Sequence, residues 1–155
     1  MNITNAESLA LIAMSEHGLI SEGWTFSFDR AKQRFGYCNH TAKRISISKT
    51  LTELNEELEI KDTILHEIAH ALTGLGNGHN YRWRMKCVQV GARPERCYSS
   101  ATVIQPTHKW LGTCPNGHNT KRMKRMKLSC SRCQPTWNPK YLFIWTLNEE
   151  LVLNS

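Results

Sequence analysis

The sequence predicts an α+β protein in which helices lie over a short antiparallel sheet, followed by a small metal-stabilised β module. Three observations point there. Apolar residues recur with helical spacing near the start of the chain and again over residues 60–73, whereas between residues 24 and 48 the period is two. Beyond residue 103 the chain turns to short strand-like pieces rich in Cys, Pro, Lys and Arg. Two domains are therefore expected, 1–103 and 104–155, while a length of 155 residues with 40% hydrophobic content by itself suits one ordinary globular unit with a small appendage.

Thr4-Asn5-Ala6-Glu7 has capping-box spacing, and Leu9, Ile12, Ala13 and Met14 form one apolar stripe, so residues 5–17 read as a helix ended by Gly18. Alternation over 24–28, 34–38 and 44–48, with polar turns between, reads as a three-stranded antiparallel meander. In 60–73, Ile64, Ile68 and Leu72 fall at steps of four, and Leu65 and Ala69 widen the stripe. Gly74, Gly76 and Gly78 break that helix. A further helix over 80–90 should bury Trp83, Cys87 and Val90 before Gly91 and Pro94 stop it.

Inside the 60–73 helix lies His66-Glu67-Ile68-Ala69-His70, an HExxH motif. Histidines four apart project from one helix face, so both imidazoles can reach one zinc ion. Glu67 sits beside the open position, where it can take a proton from a water acidified by the metal and pass it to a leaving amine. Chance would produce this pattern about 0.02 times in a chain of this composition. A catalytic zinc needs a third protein ligand, and His79 fits because it follows a glycine-rich turn that can fold back on the helix. Glu95, Cys87 and Cys97 are the alternatives. His17, His40 and His108 lack ligand spacing and read as surface or strand-edge residues. The longer metzincin signature would need a histidine where Gly76 stands.

Six cysteines without a secretory leader point to a reducing compartment, where clustered thiols bind metal rather than each other. Cys114-Pro115-Asn116-Gly117-His118 and Cys130-Ser131-Arg132-Cys133 form two knuckles. Cys114, His118, Cys130 and Cys133 are expected to close a structural zinc site, with His108 a poorer substitute for His118. A module of about 50 residues has little core of its own, so a metal would explain its folding. Cys38, Cys87 and Cys97 read as buried thiols.

Charge separates the halves. Residues 1–95 carry 11 basic and 11 acidic side chains, whereas 96–148 carry nine basic ones and no acid; the whole chain stands at +7. Such a field attracts polyanions. Lys121, Arg122, Lys124, Arg125 and Lys127 lie between the knuckles and are expected to meet phosphate, with Trp110, Trp137, Tyr141, Phe143 and Trp145 nearby for stacking or packing. No apolar run is long enough for a membrane span, and the expected setting is inside the cell, cytoplasmic or nucleoid-associated.

These residues together resemble the SprT-like metalloprotease family, which includes the Spartan proteases. The likeness runs from the Trp24 to Phe28 strand and the Gly36 turn through Ile45-Ser46-Ile47-Ser48 and Asp62-Thr63-Ile64-Leu65-His66-Glu67-Ile68-Ala69-His70-Ala71 to Gly78-His79 with Trp83, and on to a C-terminal zinc ribbon. It implies a small metzincin-like zincin domain with an HExxH helix, followed by the ribbon. It also implies His66, His70 and His79 as catalytic zinc ligands, Glu67 as acid/base, DNA-stimulated proteolysis and self-cleavage. The Cys114 and His118 knuckle departs from the family, where many members use CxxC. The expected function is a zinc endopeptidase, with one catalytic and one structural zinc, acting on proteins bound or crosslinked to single-stranded or partly unpaired DNA. A nucleic-acid-binding adaptor on a non-catalytic scaffold is the alternative; a deformylase or amidase would leave the acid-free stretch without a role.

Overall fold

The computed structural model describes residues 1–96 and 103–148, and Cys97 therefore lies outside the described residues. Contacts divide the chain into two units, Met1–Pro106 and Thr107–Ser155. Among the described residues no helix is long and apolar enough to cross a membrane.

Unit 1 is α+β. Helix α1 spans Ile3–Glu16 and is capped by Asn2, whose side chain accepts from the Thr4 and Asn5 amides, rather than by the expected Thr4. Its Ala6, Ala10, Ala13 and Met14 are buried. Strands β1 (Thr25–Asp29), β2 (Gly36–Asn39) and β3 (Arg44–Ser48) form one sheet in the order β1-β3-β2. The expected meander is corrected by this order: β1 and β3 run parallel, and β2 pairs with β3 antiparallel.

The reason lies in the burial of β3. Ile45 and Ile47 enter the core from one face, while Ser46 and Ser48 are buried on the other. The Ser46 hydroxyl donates to Asp29 at 3.0 Å and that of Ser48 to the Ala31 carbonyl at 2.5 Å, which fastens the β1–β2 connection beside β3. A strand buried on both faces takes the centre, so β2 is left at the edge. Period-two alternation identifies strands but carries no information on their order.

A short helix the sequence reading missed, α2 (Lys49–Leu54), begins directly at the end of β3. Ser48 is its cap, accepting from the Leu51 amide at 3.1 Å, so one residue closes a strand and opens a helix. Helix α3 (Glu57–Thr73) buries Ile60, Ile64, Leu65, Ile68 and Ala69 against α1 and the sheet. Helix α4 (Tyr81–Val90) is capped by Asn80 and buries Trp83 and Cys87, while Val90 is only partly buried.

Unit 2 contains a second sheet: β4 (Trp110–Thr113), β5 (Asn119–Arg122) and β6 (Ile144–Leu147), in the order β5-β4-β6 with both pairings antiparallel. Gly112 is required in β4, because a Cβ there would lie 2.8 Å from the Trp145 ring.

Candidate metal centres and active site

Helix α3 carries His66 and His70 on one face. It stops at Gly74, whose φ of +79° suits glycine, and the Asn77 side chain donates to the Thr73 carbonyl at 2.6 Å. That bond turns the chain back toward α3 and delivers His79 just ahead of the Asn80 cap. The Nε2 atom of His79 lies 3.2 Å from that of His70 and 3.4 Å from that of His66. Tetrahedral zinc with Zn–N bonds of about 2.0–2.1 Å spaces its nitrogens about 3.4 Å apart, so the three imidazoles fit one zinc ion and leave a fourth place open. Burial, with His79 nearby, lowers His66 to about 4, and burial with the neighbouring histidines lowers His70 to about 3. Both rings are therefore neutral near pH 7, the form that binds metal.

Glu67 faces the same cleft of about 680 Å³, whose wall includes β2, all three histidines and the glycine-rich turn. Burial raises its carboxyl to about 8, against the opposing pull of the Arg34 charge and of a hydrogen bond from the Cys38 amide. A divalent cation among the imidazoles would pull in the same direction as Arg34. Gly36 lies directly on the carboxyl group: a Cβ there would approach Oε1 to 2.5 Å and Cγ to 2.7 Å. Edge strand β2 thus seats Glu67 with its backbone alone, through the bare Cα of Gly36 and the amide of Cys38.

Several neighbours escaped the sequence reading because their importance is spatial. Arg34 reaches the cleft from the β1–β2 connection, pairs with Asp29 at 2.6 Å and covers the Tyr37 ring at 4.6 Å. His40, read as a surface or strand-edge residue, lines the cleft, with its Nε2 3.8 Å from the Cys38 sulfur. Burial chiefly, with the Glu67 charge, pushes that thiol up to about 12. Arg93 clasps α3, its guanidinium meeting Glu59 at 2.5 Å and Asp62 at 2.9 Å. Of the alternatives to His79, Glu95 lines the cleft but stands outside the histidine cluster, and Cys87 is buried in the core.

Trp83 is fully buried beneath the histidines, and its indole N–H has no partner among the described residues. Stranding a donor costs about 1–3 kcal/mol, an amount the burial of so large a ring exceeds.

In unit 2 the second cluster closes completely. The Cys114 and Cys133 sulfurs lie 3.7 Å apart, and His118 Nδ1 is 3.6, 3.5 and 3.3 Å from the sulfurs of Cys114, Cys130 and Cys133. Zinc bound by three thiolates and one imidazole sets about 3.8 Å between sulfurs and about 3.5 Å from sulfur to nitrogen, so this set fits too. Gly117, at φ +78°, allows the first knuckle, in which its amide donates to the Cys114 carbonyl at 2.8 Å. Burial raises the Cys130 thiol, but hydrogen bonds from the Cys133 and Arg132 amides, together with those shared with the Cys133 and Cys114 thiols, outweigh it and bring the group below its ordinary value. His108 stands outside this cluster.

The five cations between the knuckles are exposed, but only Lys121 and Arg122 belong to a strand. Arg125 covers the Trp110 ring at 4.6 Å and Lys127 covers Trp137 at 5.6 Å, while Trp145 is used inside the module, its indole N–H donating to the Met126 carbonyl at 2.9 Å.

The model of the SprT-like family matches residues 13–109, which include the three histidines, Glu67 and Trp83 and end before the first knuckle. No curated protein sequence matches the chain significantly. The family is one associated with metalloprotease activity, of the zincin type. The match spans well over half of the residues, and the chain belongs to the SprT-like family.

Proposed function

We propose that the chain is a zinc-dependent endopeptidase that hydrolyses proteins held on DNA. The observation that carries this reading is the Glu67 carboxyl group seated on the wall of a cleft beside three converged imidazole nitrogens. His66, His70 and His79 would hold the ion; zinc in that place supplies a Lewis acid for the scissile carbonyl and lowers the pKa of the attacking water.

The chain's own groups do the rest. Glu67 takes the proton from the attacking water and returns it to the departing amine, and Gly36 and the Cys38 amide hold the carboxyl in place for both transfers. β2 is an edge strand on the cleft, so an extended peptide can pair with it and bring its carbonyl past Glu67. Few side-chain pockets are needed for that pairing, which suits selection of substrates by location.

Location would come from unit 2. Lys121, Arg122, Lys124, Arg125 and Lys127 are exposed in a stretch without acids, and the half-exposed Trp137 offers a face for an unpaired base. Cys114, His118, Cys130 and Cys133 would hold a second zinc that keeps the module folded.

The test is cleavage of a basic DNA-binding protein by wild type and by Glu67→Gln, with and without single-stranded DNA. Glu67-dependent cleavage that rises with DNA is expected. Binding of DNA without cleavage under any condition would favour the adaptor.

A further inference from the structure

We infer that Trp83 is a positioning residue for the three-histidine site, its indole serving as a platform that holds the imidazoles with their Nε2 atoms converged. The inference rests on the reading of that site as a metal site. One side chain touches all three rings. The indole stacks on His70 with centroids 5.1 Å apart and planes 24° from parallel, and it meets His66 and His79 edge-on at 4.7 and 4.6 Å.

Three imidazole nitrogens aimed at one point repel one another until a cation arrives, and each ring can relieve this by rotating about its terminal torsion, which is soft. Hydrogen bonds to the second ring nitrogen are a common restraint on such rotation. Here the indole restrains it by touching each of the three rings. The helix start supports this division: Asn80 caps α4 by accepting from the Trp83 amide at 3.1 Å, so the residue next to His79 also fixes the platform.

The position of Trp83 is fully buried, and an aliphatic side chain there would fill apolar space but offer no flat face for His70 to stack on. The broad aromatic faces are what the position uses.

Cobalt(II) titration of the full, metal-free chain tests this, because a thiolate-rich site shows sulfur-to-cobalt charge-transfer bands in the near ultraviolet and a three-imidazole site does not. Each site is then read separately in one molecule. Trp83→Leu should weaken cobalt binding at the histidines by about 10–100-fold and leave the ribbon site unchanged, and Trp83→Phe should recover binding to within about threefold of wild type. A folded Trp83→Leu chain that binds within about twofold of wild type would overturn the platform role while leaving the metal site intact. Wild type without any cobalt at the histidines would overturn both. Should Trp83→Leu fail to fold, proton NMR of metal-free wild type decides. Ring current from the stacked indole must move the His70 ring protons upfield, and unshifted protons contradict the platform.

Discussion

The two side-chain clusters differ in how many of their coordination places the chain fills. In unit 1 three imidazoles converge and the remaining direction opens on a cleft with a buried carboxyl group beside it. In unit 2 three sulfurs and one imidazole enclose their centre, on knuckles joined to a sheet with short strands. A closed set of four satisfies a metal and leaves it nothing to do but hold the chain together. An open set of three keeps a place for reactants, and it needs a scaffold that is already stable. Unit 1 has one: Ile45, Ile47, Ile60, Ile64, Ile68 and Trp83 are fully buried around α3. On the proposed reading, a metal would hold the fold together in unit 2 and act as a reagent in unit 1.

That contrast can be broken at several points, beginning with the largest effect. Cys133→Ser should remove the metal from unit 2 and unfold that unit alone, since a structural zinc site contributes on the order of 10 kcal/mol. NMR should show collapsed dispersion for residues after 107 with the α3 signals unchanged. A unit 2 that stays folded without metal would end the assignment of its cluster as structural.

Next comes Gly36→Ala. The added methyl group must displace the Glu67 carboxyl, and a shift of about 1 Å in a reacting group costs on the order of 10²-fold in rate. Zinc content should not change, so metal analysis beside a peptide-cleavage assay separates this effect from loss of the ion. Full activity in the variant would show that the seat on β2 is dispensable.

Neutralising Lys121, Arg122, Lys124, Arg125 and Lys127 together should flatten the salt dependence of single-stranded DNA binding by about 3.5 in the log–log slope if each meets one phosphate, at about 0.7 per phosphate contact. Peptide cleavage in the absence of DNA should stay as it was. An unchanged slope would mean that the nucleic-acid surface lies elsewhere.

The smallest effect belongs to Asp29. Burial raises its carboxyl, but the Ala31 amide, the Ser46 hydroxyl and Arg34 together outweigh that and hold it below the ordinary 3.8. A folded-state value below the unfolded one stabilises the fold at pH above 3.8, and the contribution fades as pH falls through the folded value. Asp29→Asn should therefore cost about 1 kcal/mol at neutral pH, after allowance for solvent screening, and nothing in strong acid. Urea unfolding of both proteins across pH 2 to 7 would read this, and a difference independent of pH would rule out the charge as its source.

How much of this was legible beforehand follows from the range of the interactions. His66, Glu67 and His70 lie within one helical turn and a half, and α3 announces itself by local periodicity, so both could be read together. His79 was reachable because glycines mark the turn that carries it, and the two knuckles were reachable because their spacing is local. The order of the sheet was not. It depends on Ser46 and Ser48 bonding across space to Asp29 and Ala31, and a serine in a strand looks like a solvent-facing residue until its partner is known. α2 was hidden for a related reason, since Ser48 ends one element and caps the next. Gly36, Arg34 and His40 owe their place to the edge position of β2, and no pattern along the chain encodes which strand is at the edge.

The most direct test of the open site compares wild type with Glu67→Gln in hydrolysis of an unstructured peptide, both proteins first shown to carry two zinc ions per chain. The account predicts cleavage by wild type and a rate lower by about 10³-fold in the variant, the share expected of a positioned general base. Equal rates in the two proteins would contradict it.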